Sequence, residues 1–213
     1  KFSKISAEDF IKELVLMFSP QHIIIGEGHR FGFNREGDFE MLKRLGDDLN
    51  FRTHLVNSLK IGPYEVRSTF IRQCLRNNDL ETANNLLGWN YQSNFQVVQG
   101  NRIGRKINFP TVNLVPIHDM QILPNKGVYY VRVEIEKFFY FGMCNIGLRP
   151  TLTNDKEETT EVHIFGIDKK IDLYGKEVKL VFLKFIREEK KFNNKNELIE
   201  QLNKDKRICL SFG

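Results

Sequence analysis

The chain has 213 residues, 41% of them hydrophobic and 18 of them phenylalanine, and carries a net charge of +5. This length is enough for one large domain or two small domains with a buried core. The apolar runs are too short for a membrane span, the start lacks a hydrophobic signal region, and the three cysteines have no paired spacing. The sequence therefore predicts a cytoplasmic protein without a membrane partner, a disulfide framework or a zinc site. The net charge permits anionic ligands, and it equally fits an ordinary surface.

Helical and strand-like patterns alternate in the first region of the chain. The predicted elements are a helix over 6–18, a strand over 22–25, a helix over 39–49, a strand over 53–58 and a helix over 68–76. The run over 22–25 is apolar throughout and suits a buried parallel strand. This alternation predicts an α/β sheet that binds ligands at the carboxyl ends of its strands.

After Tyr91 the pattern changes to strands with few helical signals between them. Strands are predicted over 95–98, 128–136, 138–143, 160–165 and 178–185. Asn145 and Arg149 are expected to flank a tight turn at Gly147. Consecutive strands of this kind predict an antiparallel barrel. A closing helix is predicted from about Asn194, whose side chain can cap it together with Glu197.

A turn rich in glycine and arginine opens the stretch 98–114. Gly100 and Gly104 allow a close backbone approach and a positive φ angle. Backbone N–H groups and the guanidinium groups of Arg102 and Arg105 can then face an anion. The turn therefore indicates a phosphate site, although a surface hairpin with a basic turn has the same spacing.

The same stretch ends in a Pro-Thr-Val-Asn segment. Thr111 and Asn113 are two residues apart, so in an extended chain both side-chain oxygens leave the same face and can share one hard cation. Pro110 fixes φ just before them and stiffens the entry. Further on, Glu161 and His163 share one face of an alternating strand.

Six ordered blocks of the second region resemble the riboflavin kinase module of the bacterial bifunctional riboflavin kinase/FMN adenylyltransferases, also called FAD synthetases. They cover 100–113, 123–129, 145–151, 161–164, 172–177 and 185–192. Two positions depart from the family pattern: Asn108 replaces a glycine and Val112 replaces an alanine. Neither removes a ligand, because Asn tolerates a left-handed conformation and Val112 is expected to point away from the cation.

The resemblance implies both a fold and an activity. Residues 91–213 would form a six-stranded antiparallel Greek-key β-barrel with a C-terminal helix. This domain would use ATP to phosphorylate riboflavin to FMN.

The resemblance also assigns roles to single residues. Mg²⁺ would be held by Thr111 and Asn113, and Glu161 would be the catalytic base. Gly100, Gly104 and Arg105 would bind ATP phosphates, and Phe109 and Arg187 would lie at the flavin. Two residues remain open: Arg149 is a structural anchor or an anion contact, and His163 supports the site or packs in the core.

Residues 1–90 resemble the later portion of the adenylyltransferase domain, through the segments 26–32 and 66–72. This implies a partial Rossmann-like α/β nucleotidyltransferase region in which Ser68, Thr69 and Arg72 hold ATP phosphates at a helix start. An ordinary helix cap is the alternative. The histidine-bearing segment that opens such domains does not occur in the sequence. We therefore expect an N-terminally incomplete domain that makes no FAD by itself, whereas the complete protein would adenylylate FMN.

Two other functional interpretations depend on different features of the sequence. A catalytically inactive flavin-binding module would keep the barrel, and the joint presence of Thr111, Asn113 and Glu161 argues against it. A nucleic-acid-binding barrel would need basic and aromatic residues interleaved on one strand face. The Phe138-Phe139 pair is not arranged in this way. The expected partners are therefore riboflavin, FMN and ATP, with no nucleic acid.

Overall fold

The chain folds into two compact units, residues 1–65 and 66–213. The computed structural model describes residues 4–100, 104, 107–118, 120–150, 156–168 and 171–212, without the side chains of 149, 150, 156 and 157. In these ranges no helix is both long and apolar enough to cross a membrane.

The first unit alternates helices and strands as predicted. Its elements are α1 (Ala7–Phe18), β1 (His22–Gly26), α2 (Phe39–Leu49), β2 (Arg52–Val56), β3 (Lys60–Ile61) and β4 (Tyr64–Glu65). Ser6 caps α1 by accepting a hydrogen bond from the Asp9 amide at 3.1 Å. Strands β1 and β2 pair in parallel, whereas β3 and β4 form a short hairpin that the sequence pattern did not predict.

The buried character predicted for β1 is wrong. Only Ile25 of this strand is buried, and it joins a cluster with Ile11, Leu42 and Leu45. Ile24, on the opposite face, is 68% exposed. In the described residues β1 and β2 form a two-stranded sheet, and their cluster covers one face of β1.

The second unit begins with two helices, α3 (Ser68–Arg76) and α4 (Leu80–Leu87). The first was predicted and the second was not, because eight residues with two asparagines give little helical periodicity. Asp79 caps α4 by accepting from the Thr82 amide at 3.1 Å. Both helices place apolar side chains, among them Leu75 and Leu80, in the same core as the barrel strands.

The rest of the second unit is the predicted closed barrel. Its strands are β5 (Gln92–Val98), β6 (Val112–Pro116), β7 (Gly127–Ile135), β8 (Phe138–Pro150), β9 (Lys156–Ile164) and β10 (Glu177–Arg187). They close in the order β10-β5-β6-β9-β8-β7, and all neighbouring pairs are antiparallel. The meander β7-β8-β9 returns beside β6, which gives the Greek-key order.

Strand β8 runs past the position where a turn was expected. Gly147 is paired with Thr159 within the β8–β9 ladder, so the predicted tight turn is wrong. The nearest group to this glycine is the end of a flexible side chain. A Cβ on Gly147 would lie 2.0 Å from Oε1 of Glu189.

Alternate residues of β7 and of β8 belong to different apolar clusters. All six strands contribute to one cluster, which is therefore the barrel interior, and Tyr129, Val162 and Phe182 lie in it. The intervening residues Val128, Tyr130 and Met143 form a second cluster with Cys209 of α5 (Lys195–Leu210). The C-terminal helix thus covers part of the outer face of the barrel. It begins as predicted, because Asn194 accepts from the Glu197 amide at 3.0 Å.

Candidate active site

A row of polar and apolar side chains crosses five neighbouring strands on the outer face of the barrel. From β6 to β10 it consists of Asn113, Glu161, Asn145, Val128 and Arg187, each opposite the next in the strand register. Residues directly opposite in antiparallel strands project from the same face. All five line one cavity of about 360 Å³, which Leu198 and Leu202 of α5 also border.

The predicted cation ligands and the predicted base meet at one end of this row. Thr111 lies just before β6, and its hydroxyl donates to Oε2 of Glu161 at 3.1 Å. Asn113 is the register partner of Glu161, while Val112 between them packs against the barrel interior. The sequence-based expectation that Thr111 and Asn113 share a face is therefore confirmed. In the described residues no group of three or more His, Cys, Asp or Glu side chains could hold a metal ion.

Two glycines of the preceding turn give space to this group. A Cβ on Gly100 would lie 2.0 Å from Nδ2 of Asn113, and a Cβ on Gly104 would lie 2.1 Å from the Phe109 carbonyl oxygen. The close approach expected of them is present. Asn108, close to Phe109 in the same segment, takes the left-handed conformation, with φ of 61°. Arg102 and Arg105 lie outside the described residues.

His163 lies beside Glu161 on the outer face of β9. Its Nδ1 is 2.8 Å from the Pro110 carbonyl oxygen. The ring packs near those of Phe109 and Phe165, at centroid distances of 5.1 and 5.6 Å. Burial lowers the pKa of His163 below its ordinary value, and the carbonyl of Pro110 opposes that shift. On the face of β9 that it shares with Glu161, the His163 side chain is thus buried and hydrogen-bonded.

Arg187 closes the other end of the row, and its guanidinium is engaged with α5. Its Nε lies 3.0 Å and its Nη2 2.7 Å from carboxylate oxygens of Asp205, which is 0% exposed. Gln201 also donates to Asp205, at 2.8 Å. Arg187, which was predicted to lie at the flavin, therefore borders the cavity, but its guanidinium forms an ion pair with Asp205 of α5.

A second part of the cavity lining is an apolar wall. It is made by Val128 and Met143 of the barrel and by Phe192, Leu198 and Leu202. Phe109 also lines the cavity and is 6% exposed, in the cluster beneath α5. A planar ring gains from burial between such surfaces, and the volume is in the range of small-molecule pockets.

Three further predicted residues lie on another element. Ser68, Thr69 and Arg72 are in the first turns of α3, and none of them lines this cavity. Arg67 holds the cap position without a side-chain hydrogen bond, so neither Ser68 nor Thr69 is an ordinary N-cap. Their predicted role toward ATP stays a prediction.

Sequence reasoning missed Asn145, Val128 and Met143 as residues of the cavity. Asn145 was noted only beside the supposed turn. Its place in the site follows from its register position opposite Glu161. Alternation along β7 and β8 was the available signal, but it does not show which face carries the site.

Comparisons with known proteins identify the family of the chain. A family model described as riboflavin kinase matches residues 87–212, and one described as FAD synthetase matches residues 1–70. Among curated relatives, the bifunctional riboflavin kinase/FMN adenylyltransferase of Buchnera aphidicola subsp. Schizaphis graminum is 38% identical over 99% of this chain and 68% of its own length. The corresponding Bacillus subtilis protein is 34% identical over 99% of this chain and 66% of its own length.

A solved structure from Streptococcus pneumoniae, named a macrolide-efflux protein, matches 98% of this chain with a TM-score of 0.87 and 31% identity. The match covers 66% of that structure. The chain spans about two thirds of the length of the curated relatives that it matches. The family resemblance inferred from the sequence is thus confirmed. The chain belongs to the bifunctional riboflavin kinase/FMN adenylyltransferase family, and its barrel is that of the riboflavin kinases.

Proposed function

We propose that the second unit transfers the γ-phosphate of ATP to the 5′-hydroxyl of riboflavin and so makes FMN. The observation that carries this proposal is the single cavity that joins a carboxylate, a hydroxyl and an amide to an apolar wall. The polar end suits phosphates and a reacting hydroxyl, and the apolar wall suits the flavin ring. An inactive flavin-binding module would not need the polar end.

The reaction forms a bond between the riboflavin oxygen and the γ-phosphorus, breaks the bond from that phosphorus to the β-phosphate oxygen, and releases ADP. Glu161 accepts the proton of the attacking hydroxyl, since its carboxylate lines the cavity and a kinase needs a group that takes this proton. The Thr111 hydroxyl orients Glu161 through the 3.1 Å hydrogen bond. Phosphates are bound by the turn that contains Gly100 and Gly104, together with Arg105.

Magnesium fits the ligand set at the polar end. Mg²⁺ in kinases is held by few protein oxygens together with substrate phosphates. The residues that would hold it are Thr111 and Asn113, next to the Glu161 carboxylate. When bound, the ion neutralises charge on the phosphates.

The flavin ring is placed against the apolar wall, with Phe109 at its edge. Arg187 supports this wall through its hydrogen bonds to Asp205, because α5 carries Leu198 and Leu202.

The cytoplasm stays a prediction as the compartment in which the enzyme acts.

Glu161→Gln tests the role of the carboxylate. Turnover in an assay of FMN formation from riboflavin, ATP and Mg²⁺ is expected to fall by ~10²- to 10⁴-fold, with little change in riboflavin affinity, because a base acts only in the transition state. Glu158→Gln is the matched control, since Glu158 is an exposed carboxylate on the same strand. Near wild-type turnover of Glu161→Gln would remove Glu161 from the mechanism.

Thr111→Val and Asn113→Ala test the cation ligands. Each change deletes one oxygen from the polar end, so we expect a higher Mg²⁺ requirement and weaker use of ATP. Thermal melting without nucleotide should change little. Asn94→Ala, at an exposed position of β5, is the control. Unfolding of both site variants would show that the segment is structural instead.

Adenylyl transfer to FMN is a second candidate activity, favoured by the FAD synthetase match over residues 1–70. It would draw on Ser68, Thr69 and Arg72 of α3. Chromatography of a reaction with FMN, ATP and Mg²⁺ tests it in this polypeptide. An FAD peak with pyrophosphate release would support this second activity, and a reaction that yields no FAD would count against it in this polypeptide.

A further inference from the structure

The two residues that lead into β6 lie outside its ladder. Pairing of β6 with β9 begins at Val112 and Val162. Pro110 has no N–H to donate. This segment is instead held to β9 by two side chains. Thr111 donates to Glu161 at 3.1 Å, and the Pro110 carbonyl lies 2.8 Å from Nδ1 of His163.

The chemistry of this second contact defines the state of His163. A carbonyl oxygen only accepts, so Nδ1 carries the hydrogen and donates it to Pro110. The side chain is 7% exposed, and the rings of Phe109 and Phe165 pack near it. Burial favours the neutral ring. His163 is thus a fixed neutral donor that points at the backbone next to Thr111.

We propose that His163 is a positioning residue for phosphoryl transfer, which fixes Thr111 by holding the Pro110 carbonyl and, through Thr111, orients the Glu161 carboxylate. The inference rests on the proposed function. Because Glu161 and His163 are two residues apart on one face of β9, the strand contacts the segment through two hydrogen bonds. Loss of the hydrogen bond from His163 allows Thr111 to rotate away from the Glu161 carboxylate. The imidazole does not touch the reacting atoms.

The test is a double-mutant cycle between His163 and Thr111. His163→Leu fills much of the ring volume without a donor, and His163→Asn retains one. Each is combined with Thr111→Val, and both MgADP affinity by calorimetry and kcat/KM for FMN formation are measured. The stability control is Tyr129→Phe, which removes a buried hydroxyl bonded to Asn78 in the barrel interior.

His163→Leu is expected to lower MgADP affinity and kcat/KM by about tenfold, the scale of one hydrogen bond. His163→Asn should recover most of this loss. In the Thr111→Val background, His163→Leu should add no more than about a twofold loss, because its effect passes through Thr111. Tyr129→Phe should lower the melting temperature and leave both quantities unchanged well below that temperature.

The inference would be overturned if the losses of MgADP affinity and kcat/KM in the double variant equalled the product of the two single losses. It would also be overturned if His163→Leu matched the wild type in both quantities. Wild-type protein that binds MgADP and makes no FMN would refute the proposed function. The double-mutant cycle measured by MgADP affinity would still decide the role of His163, since a binding measurement needs no turnover.

Discussion

At the scale of single residues, the polar end of the site depends on space left by two glycines. The atom facing Gly100 is the amide nitrogen of Asn113, at the end of a side chain that can rotate. The atom facing Gly104 is the carbonyl oxygen of Phe109, which is part of the backbone. Alanine at the two positions should therefore have different effects.

Gly100→Ala is expected to impair function more than stability. The new methyl group would push the Asn113 amide away from its place beside Glu161, so the variant should show the raised Mg²⁺ requirement of Asn113→Ala. Its melting temperature should stay close to wild type. Gly104→Ala should instead lower the free energy of unfolding by about 1–3 kcal/mol, because a backbone carbonyl must move.

Urea unfolding and FMN assays at several Mg²⁺ concentrations measure both effects. Gly26→Ala is the control, since a Cβ there meets nothing within 4 Å and φ is not positive. Equal behaviour of Gly100→Ala and Gly26→Ala would refute the steric argument.

At the scale of elements, α5 determines one wall of the cavity. The helix is capped by Asn194 at its start and anchored near its end by Asp205, whose carboxylate accepts from Arg187 and Gln201. Between these points it places Leu198 and Leu202 at the cavity and Cys209 against the barrel. Burial raises the pKa of Cys209 to about 12. A helix docked in this way shields the thiol from reagents.

Asp205→Ala should loosen this helix. Removal of one partner of a buried ion pair leaves the other without its counter-charge, so we expect a loss of about 3 kcal/mol in unfolding free energy. Cys209 should then react faster with a thiol reagent, and riboflavin affinity should fall because the apolar wall moves. Peptide mass spectrometry locates the labelled cysteine. Glu200→Ala removes an exposed carboxylate from the same helix and should change none of these three quantities. Unchanged labelling of Asp205→Ala would contradict the anchoring role.

At the scale of the whole molecule, the chain divides at residues 65/66, whereas the change of sequence pattern suggested residues 90/91. Helices α3 and α4 lie between these two points. Their residues Cys74, Leu75, Leu80 and Ala83 are buried in the barrel core. The Leu75 carbonyl also accepts from the Asn125 amide at 3.0 Å.

Two shortened polypeptides distinguish these boundaries. Residues 66–213 should fold cooperatively and form FMN at a rate close to that of the whole chain. Residues 91–213 should be much less stable, because each buried leucine of α3 and α4 contributes about 2 kcal/mol to folding. Calorimetry measures the stability of the two polypeptides, and FMN assays measure their activity. Equal stability of the two polypeptides would show that α3 and α4 are dispensable, and would favour the boundary at residue 90.

The sequence by itself determined most of the longer elements and the family of the chain. Helix α1, the cap at Asn194 and the alternation of Glu161 with Val162 depend on neighbours along the chain, and such local signals survive without tertiary contacts. The family resemblance then linked Thr111, Asn113 and Glu161, which the structure brings together.

Only the tertiary structure decided which residues complete the cavity. Between Phe182 and Arg187, two register shifts in β10 place Arg187 opposite Val128, where an uninterrupted ladder would place Phe185. The contacts from His163 to Pro110 and from Arg187 to Asp205 join residues far apart in sequence. Strand register, bulges and buried ion pairs depend on long-range packing, so no local pattern in the sequence specifies them.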